Sequence, residues 1–245
     1  MTGVVMFQRA RSEEQREARR QAILGAAAAM LAEMPVAEVT LNELSRRAGL
    51  AKSNVLRYFE SREAVLLELL DIEFREWLAA LPDELADGVD ATADTPARRE
   101  QLAQVIARSL ATRPVLCDLV SAQAAVLERN VSSAVAVRFK RAAVANVSAL
   151  ADAVLAQLSE LGEVGAERFA ALAMLVAGAV WTNAQPSAAM LAAYQADPAL
   201  AALRMDVTET VREVLATILA GLLVRPPGDL LGLCADVEHP DQGQA

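Results

Sequence analysis

The chain has 245 residues, a net charge of −9, 54% apolar side chains rich in alanine and only 4% aromatics. That length buries a sizeable core, and the alanine and leucine bias favours helices over strands, so an all-α protein is expected. A single histidine (His239) and two remote cysteines (Cys117 and Cys234) argue against a disulfide framework, a metal site or a bound cofactor. With no GxSxG, HExxH or glycine-rich phosphate loop in the sequence, nothing points to an enzyme.

The charge is unevenly distributed. Residues 1–62 hold ten Lys/Arg against seven Glu, a balance of +3, whereas the other 183 residues hold 13 basic and 25 acidic side chains, a balance of −12. A basic head on an acidic body steers a polyanion to one end of the molecule. The longest apolar run, residues 169–181, is 13 residues, short of the ~20 that span a bilayer. No signal-peptide pattern leads the chain, so a cytoplasmic protein with no membrane partner is expected.

In chain order, residues 1–11 read as a flexible basic arm. Ser12 and Gln15 form a capping box for a first helix, in which Ile23, Ala27, Met30, Leu31 and Met34 recur at helical spacing until Pro35. Thr40 and Glu43 form a second box. The short helix that follows turns Leu41, Leu44 and Ala48 inward, and Gly49 then permits a left-handed backbone, with Leu50 plugging the crease beyond it. A second short helix over 51–59 buries Val55 and Phe59 and leaves Lys52, Ser53, Asn54, Arg57 and Tyr58 outside. Helix, three-residue turn and helix make a helix-turn-helix, whose outer side enters the major groove between phosphate strands.

Ser61 caps a fourth helix striped by Leu66, Leu70, Phe74, Trp77, Leu78 and Leu81, expected to end near residue 81. Residues 82–96 are acidic and rich in breakers, and read as a loop. Further helices are expected to about Thr112, from Pro114 to about Arg129, over 131–158 and over 165–184, with irregular or short helical structure at 186–198. Asp206 and Glu209 box in a final helix over 207–224, stopped by Arg225-Pro226-Pro227-Gly228, and the remainder reads as a loose tail. The expected organisation is an arm and DNA-binding head (1–62), a helical ligand-binding and dimerisation domain (63–228) and a tail (229–245).

The layout from Ile23 to Glu63, with Thr40, Leu44-Ser45, Ala48-Gly49-Leu50, Tyr58-Phe59 and Ser61-Arg62-Glu63 in one register, resembles the DNA-binding region of the TetR family of bacterial transcriptional regulators. The resemblance covers roughly residues 12–70. It implies that Thr40 and Arg47 bond phosphates from the first helix of the motif, and that Tyr58 and Arg62 do so from the end of the second and the start of the fourth. Lys52, Ser53 and Asn54, at the leading end of the recognition helix, are placed to reach base edges, with Arg57 beside them. The family commonly has Gly, Thr and Tyr where this chain has Ser53, Asn54 and Leu56, so roles carry over and base identities do not.

Regulators of this kind bind double-stranded DNA as two-fold dimers. The expected homodimer face joins Leu172, Leu175, Val176 and Ala179 to Val211, Val214, Leu215, Ile218 and Leu222, because a helix apolar all round needs cover on both faces. The family also implies a ligand cavity. Phe74, Trp77, Leu116, Cys117, Val120, Gln123, Phe139, Asn146, Met174, Trp181 and Asn183 punctuate the alanine-rich middle helices as its candidate walls, although for each alone core packing is the commoner role. The function implied is a repressor that leaves an inverted-repeat operator when a small hydrophobic or amphipathic effector binds. The competing readings are a ligand-independent or an architectural DNA-binding protein.

Overall fold

Alanine and leucine dominance gives helix throughout, and in the computed structural model every regular element among the described residues, 2–224, is helical. Side chains are described from residue 13. The head comprises α1 (Thr2–Leu31), α2 (Leu41–Arg47) and α3 (Lys52–Val55). Its core is Ile23, Ala27, Met30, Leu44, Val55 and Phe59, each no more than 4% exposed. Because α1 starts at Thr2, the expected flexible arm is helical and Ser12 starts nothing. Residues 8–22 are mostly Arg, Glu, Gln and Ala, strong helix formers that carry the helix through the polar stretch.

Both ends of α2 are hydrogen-bonded. The Thr40 hydroxyl accepts the Glu43 N–H at 3.2 Å and starts α2. The reciprocal half of the box is not made, because the Glu43 carboxylate takes charge-assisted bonds from Arg46 (2.6 Å) and Arg47 (2.9 Å) instead. At the far end, Gly49 adopts φ +66°. Its N–H reaches the Arg46 carbonyl at 3.2 Å and the Leu50 N–H reaches the Ser45 carbonyl at 3.0 Å. That pair is a Schellman closure, and it needs the left-handed residue. The recognition helix is shorter than expected, one turn only. Beyond Val55 the chain tightens into three-residue bonds, Arg57 N–H to Asn54 and Tyr58 N–H to Val55, which deliver Phe59 into the core under the Arg20 guanidinium, 4.6 Å from the ring centre.

The body holds α4 (Arg62–Gly88), α5 (Thr95–Ala111), α6 (Pro114–Ala122), α7 (Ser133–Gln157), α8 (Gly162–Asn183), α9 (Ala188–Ala196), α10 (Pro198–Ala201) and α11 (Val207–Val224). Helix α4 runs through Pro82 to Gly88, correcting the expected loop from residue 82. Proline inside a helix costs about 3 kcal/mol. Burying Leu81, Leu85 and Val89, at 0%, 0% and 6% exposure, offsets it at about 1.5–3 kcal/mol per side chain. Helix α6 stops at Ala122 rather than near Arg129, and a 3₁₀ turn over Leu127–Arg129 buries Leu127 instead. Helix α8 is central, packed on α6, α7 and α11, while α11 lies chiefly along α5. The segment Ser159–Asn183 is long and apolar enough to cross a membrane by length and composition, but half of it is buried inside the protein, as in a core helix. The stop at residues 225–228, Cys234, His239 and the tail lie outside the described residues.

Candidate nucleic-acid interface and ligand cavity

The eight candidate DNA contacts fall into two groups. Lys52, Ser53 and Arg57 are exposed, with Asn54 and Tyr58 half-buried beside them, and neither Lys52 nor Arg57 has a carboxylate partner among the described residues. Thr40, Arg47 and Arg62 are engaged in holding the head together. Arg47 bridges Glu33 (2.7 Å) on the chain leaving α1 and Glu43 (2.9 Å) on α2. The Glu33 and Glu43 bonds raise its pKa, while bonds from Arg46 and Arg47 hold the Glu43 carboxyl down at about 2. Arg62 donates to the Val39 carbonyl at 2.6 Å and pairs with Glu63 at 3.1 Å, which ties the start of α4 to the entry of α2.

Three carboxylates join head to body, and no sequence motif marks any of them. Glu68 on α4 pairs with Arg20 on α1. Asp118 on α6 accepts the Val36 N–H at 2.7 Å. Glu60, just after the recognition segment, accepts the Ser132 N–H at 2.6 Å and its hydroxyl at 2.7 Å. The Ser132 side chain in turn caps α7 through the Val135 N–H at 3.3 Å. The backbone bond from Ser132, then its hydroxyl, hold the Glu60 carboxyl below its usual range.

A cavity of about 410 Å³ opens between α4, α6, α7 and α8, within the size range of small-molecule sites. Of the candidate walls it brings together Phe74, Val120, Gln123, Phe139, Asn146 and Met174. Leu70, Asp71, Ser121 and Thr182 line it as well. The signal for Asp71 was its place on the stripe, three residues before Phe74, where a carboxylate breaks an apolar face. The other candidates lie elsewhere. Trp77 is fully buried, bonded from Nε1 to the Ser109 hydroxyl at 3.0 Å, with Phe74 edge-on at 5.4 Å. Leu116 is core. So is Cys117, whose thiol donates to the Leu110 carbonyl at 3.4 Å and is pushed up to about 12 by burial and then by the Asp118 charge. Trp181 packs half-buried on the core, and Asn183 donates back to the Ala179 carbonyl at 2.8 Å on an exposed turn.

The expected dimer face divides similarly. Val211 and Leu215, at 1% and 0% exposure, belong to the protomer's own core. The inward face of α11 is set by packing along α5, which periodicity within α11 does not disclose. Leu172, Val176, Val214, Ile218 and Leu222 are half-buried, Ala179 is exposed, and Leu175 is 66% exposed. Leu175 and Ala179 also border the cavity mouth.

A helix-turn-helix head on an all-helical body with an internal cavity is the architecture of a transcriptional regulator. Residues 23–69 match the family described as bacterial regulatory proteins, tetR family, and residues 71–226 match the tetracyclin repressor-like C-terminal domain. The chain belongs to the TetR family of bacterial transcriptional regulators. It is 42% identical over 53 residues to the HTH-type transcriptional regulator EthR of Mycobacterium tuberculosis, a match that covers 22% of this chain and 24% of that protein. The chain thus spans about a quarter of that relative's length. A TetR transcriptional regulator from Rhodococcus sp. RHA1 shares the fold with TM-score 0.51 and 14% identity, covering 86% of this chain and 98% of its own. The fatty acid degradation regulator FadR from Bacillus halodurans does so with TM-score 0.50 and 15% identity, covering 83% and 96%.

Proposed function

We propose that the chain is a ligand-responsive repressor that acts in the cytoplasm and binds an inverted-repeat operator as a homodimer. Lys52, Ser53 and Asn54 face the base edges. Arg57 and Tyr58 take phosphates, joined by Thr40, Arg47 and Arg62 from the helix ends around them. The carrying observation is the shared helix: α4 starts at Arg62, bonded to the head, and its residues Leu70, Asp71 and Phe74 form a wall of the cavity. Asp71 lies nine residues along α4 from Arg62, about 14 Å of helical rise. A ligand that fits one tilt of α4 better than another shifts the spacing of the two recognition helices, and operator affinity falls by the ratio of its two affinities.

The test is selection of duplexes from a random pool by the purified protein, followed by anisotropy titration. An inverted repeat is expected, with affinity that weakens on adding a ligand of the cavity. Recovery of no preferred duplex would leave an architectural binder, and affinity untouched by a bound ligand would leave a ligand-independent one.

A further inference from the structure

We propose that the cavity takes an amphiphile with a cationic, hydrogen-bond-donating head, an alkylammonium, and disfavours carboxylate-headed ones. This rests on the cavity being the effector site and adds its charge selectivity.

Among the described residues Asp71 is the sole charged side chain lining the cavity, since α6, α7 and α8 contribute none. It stands between two hollows. Behind it a cleft of about 140 Å³ between α4 and α7 holds Arg75 and Arg138, and neither of these lines the larger cavity. Arg75 pairs with the Asp71 Oδ2 at 2.9 Å, but its side chain is 61% exposed against 22% for Asp71. The counter-charge therefore sits in the rear cleft with much of its guanidinium in water, which screens it, while the less exposed carboxylate also borders the larger cavity. Asn146, only 7% exposed, donates Nδ2–H to the Asp71 Oδ1 at 3.0 Å. A carboxylate can only accept, so this bond fixes the amide orientation and leaves the Asn146 carbonyl oxygen as a second acceptor on the wall. An anion entering here meets a carboxylate and a carbonyl, with the nearest cation, Arg75, on the far side of that carboxylate in the rear cleft. An ammonium finds both acceptors, and Phe74 and Phe139 offer apolar, electron-rich walls to its chain.

The experiment uses the full chain and three ten-carbon probes below their micellar concentrations, decylammonium, decanol and decanoate, with binding followed by calorimetry. Decylammonium is expected to bind about tenfold tighter than decanoate, a difference of about 1.4 kcal/mol, with decanol between. Asp71→Asn should bring the two ions within about twofold while leaving decanol unchanged. Arg75→Gln, which removes the ion-pair partner of Asp71 without changing a residue that lines the larger cavity, should widen the gap, and this variant keeps the test decisive if Asp71→Asn does not fold. Decanoate binding as well as decylammonium, or a gap indifferent to both substitutions, overturns the charge selectivity alone. Failure of all three probes, decanol included, overturns the effector site itself.

Discussion

Of the candidate contacts, Lys52 and Arg57 are the cations without a carboxylate partner among the described residues, and this separates their expected behaviour from that of Arg47. Arg57→Ala should lower the slope of log affinity against log salt by about 0.9 per protomer, and Lys52→Ala should relax the preference among bases, both with little change in melting temperature, measured by anisotropy at several salt concentrations and on base-substituted duplexes. Arg47→Ala should lower the melting temperature too, because it cuts the link from Glu33 to Glu43. Glu43 also gives a pH prediction. Its carboxyl sits at about 2 in the folded head against an ordinary 4.5, so its contribution is complete above about 4.5 and is lost as pH falls toward 2. Acid unfolding followed by circular dichroism should therefore show Glu43→Gln less stable than the parent at pH 6 and nearly equal to it at pH 2. The Arg46 bond was legible from three-residue spacing. The Glu33 bond was not, since it crosses the turn at 35–40 and only the packed head brings the ends together.

Among the elements, the helix-turn-helix was the most legible because its signals are local: a threonine cap, a glycine at φ +66° and two apolar residues four apart. Gly49→Ala forces a side chain into that left-handed backbone at about 1–2 kcal/mol, and should lower the melting temperature by several degrees. Nothing stands within 4 Å of the added methyl, so the loss comes from the backbone and not from a clash. At Gly178 the opposite holds. A Cβ there would meet the Val120 Cγ1 at 3.2 Å and the Ser121 Cα at 3.3 Å, because α8 and α6 approach closely beside the cavity. Gly178→Ala should separate them, costing about 1–3 kcal/mol and altering ligand affinity in the same calorimetric assay. Pro82 is where local reading failed. A breaker is visible in sequence, but the burial of Leu85 and Val89 that overrides it depends on neighbours distant in the chain.

For the whole molecule, the split between a basic head and an acidic body was plain in the sequence, and so was the all-helical class. The cavity was half legible. Phe74, Phe139, Asn146 and Met174 border it, whereas Trp77, Leu116 and Cys117 are core, because helical spacing tells which residues turn inward and not which inward residues leave a gap. The same ambiguity governs α11, where Val211 and Leu215 face α5 while Ile218 and Leu222 remain partly open. If the chain forms the proposed homodimer, Ile218→Glu should leave a folded monomer in sedimentation analysis, whereas Leu215→Glu should abolish folding by burying an unpaired charge. The bonds from Val36 N–H to Asp118 and from Ser132 N–H to Glu60 bear on modular engineering. A chimera that grafts this head onto another sensor body needs an acceptor supplied opposite Val36 and a cap site opposite Glu60. Without them the transplanted reader would sit on a loose joint, and on the proposed mechanism occupancy of the sensor would no longer be heard at the operator.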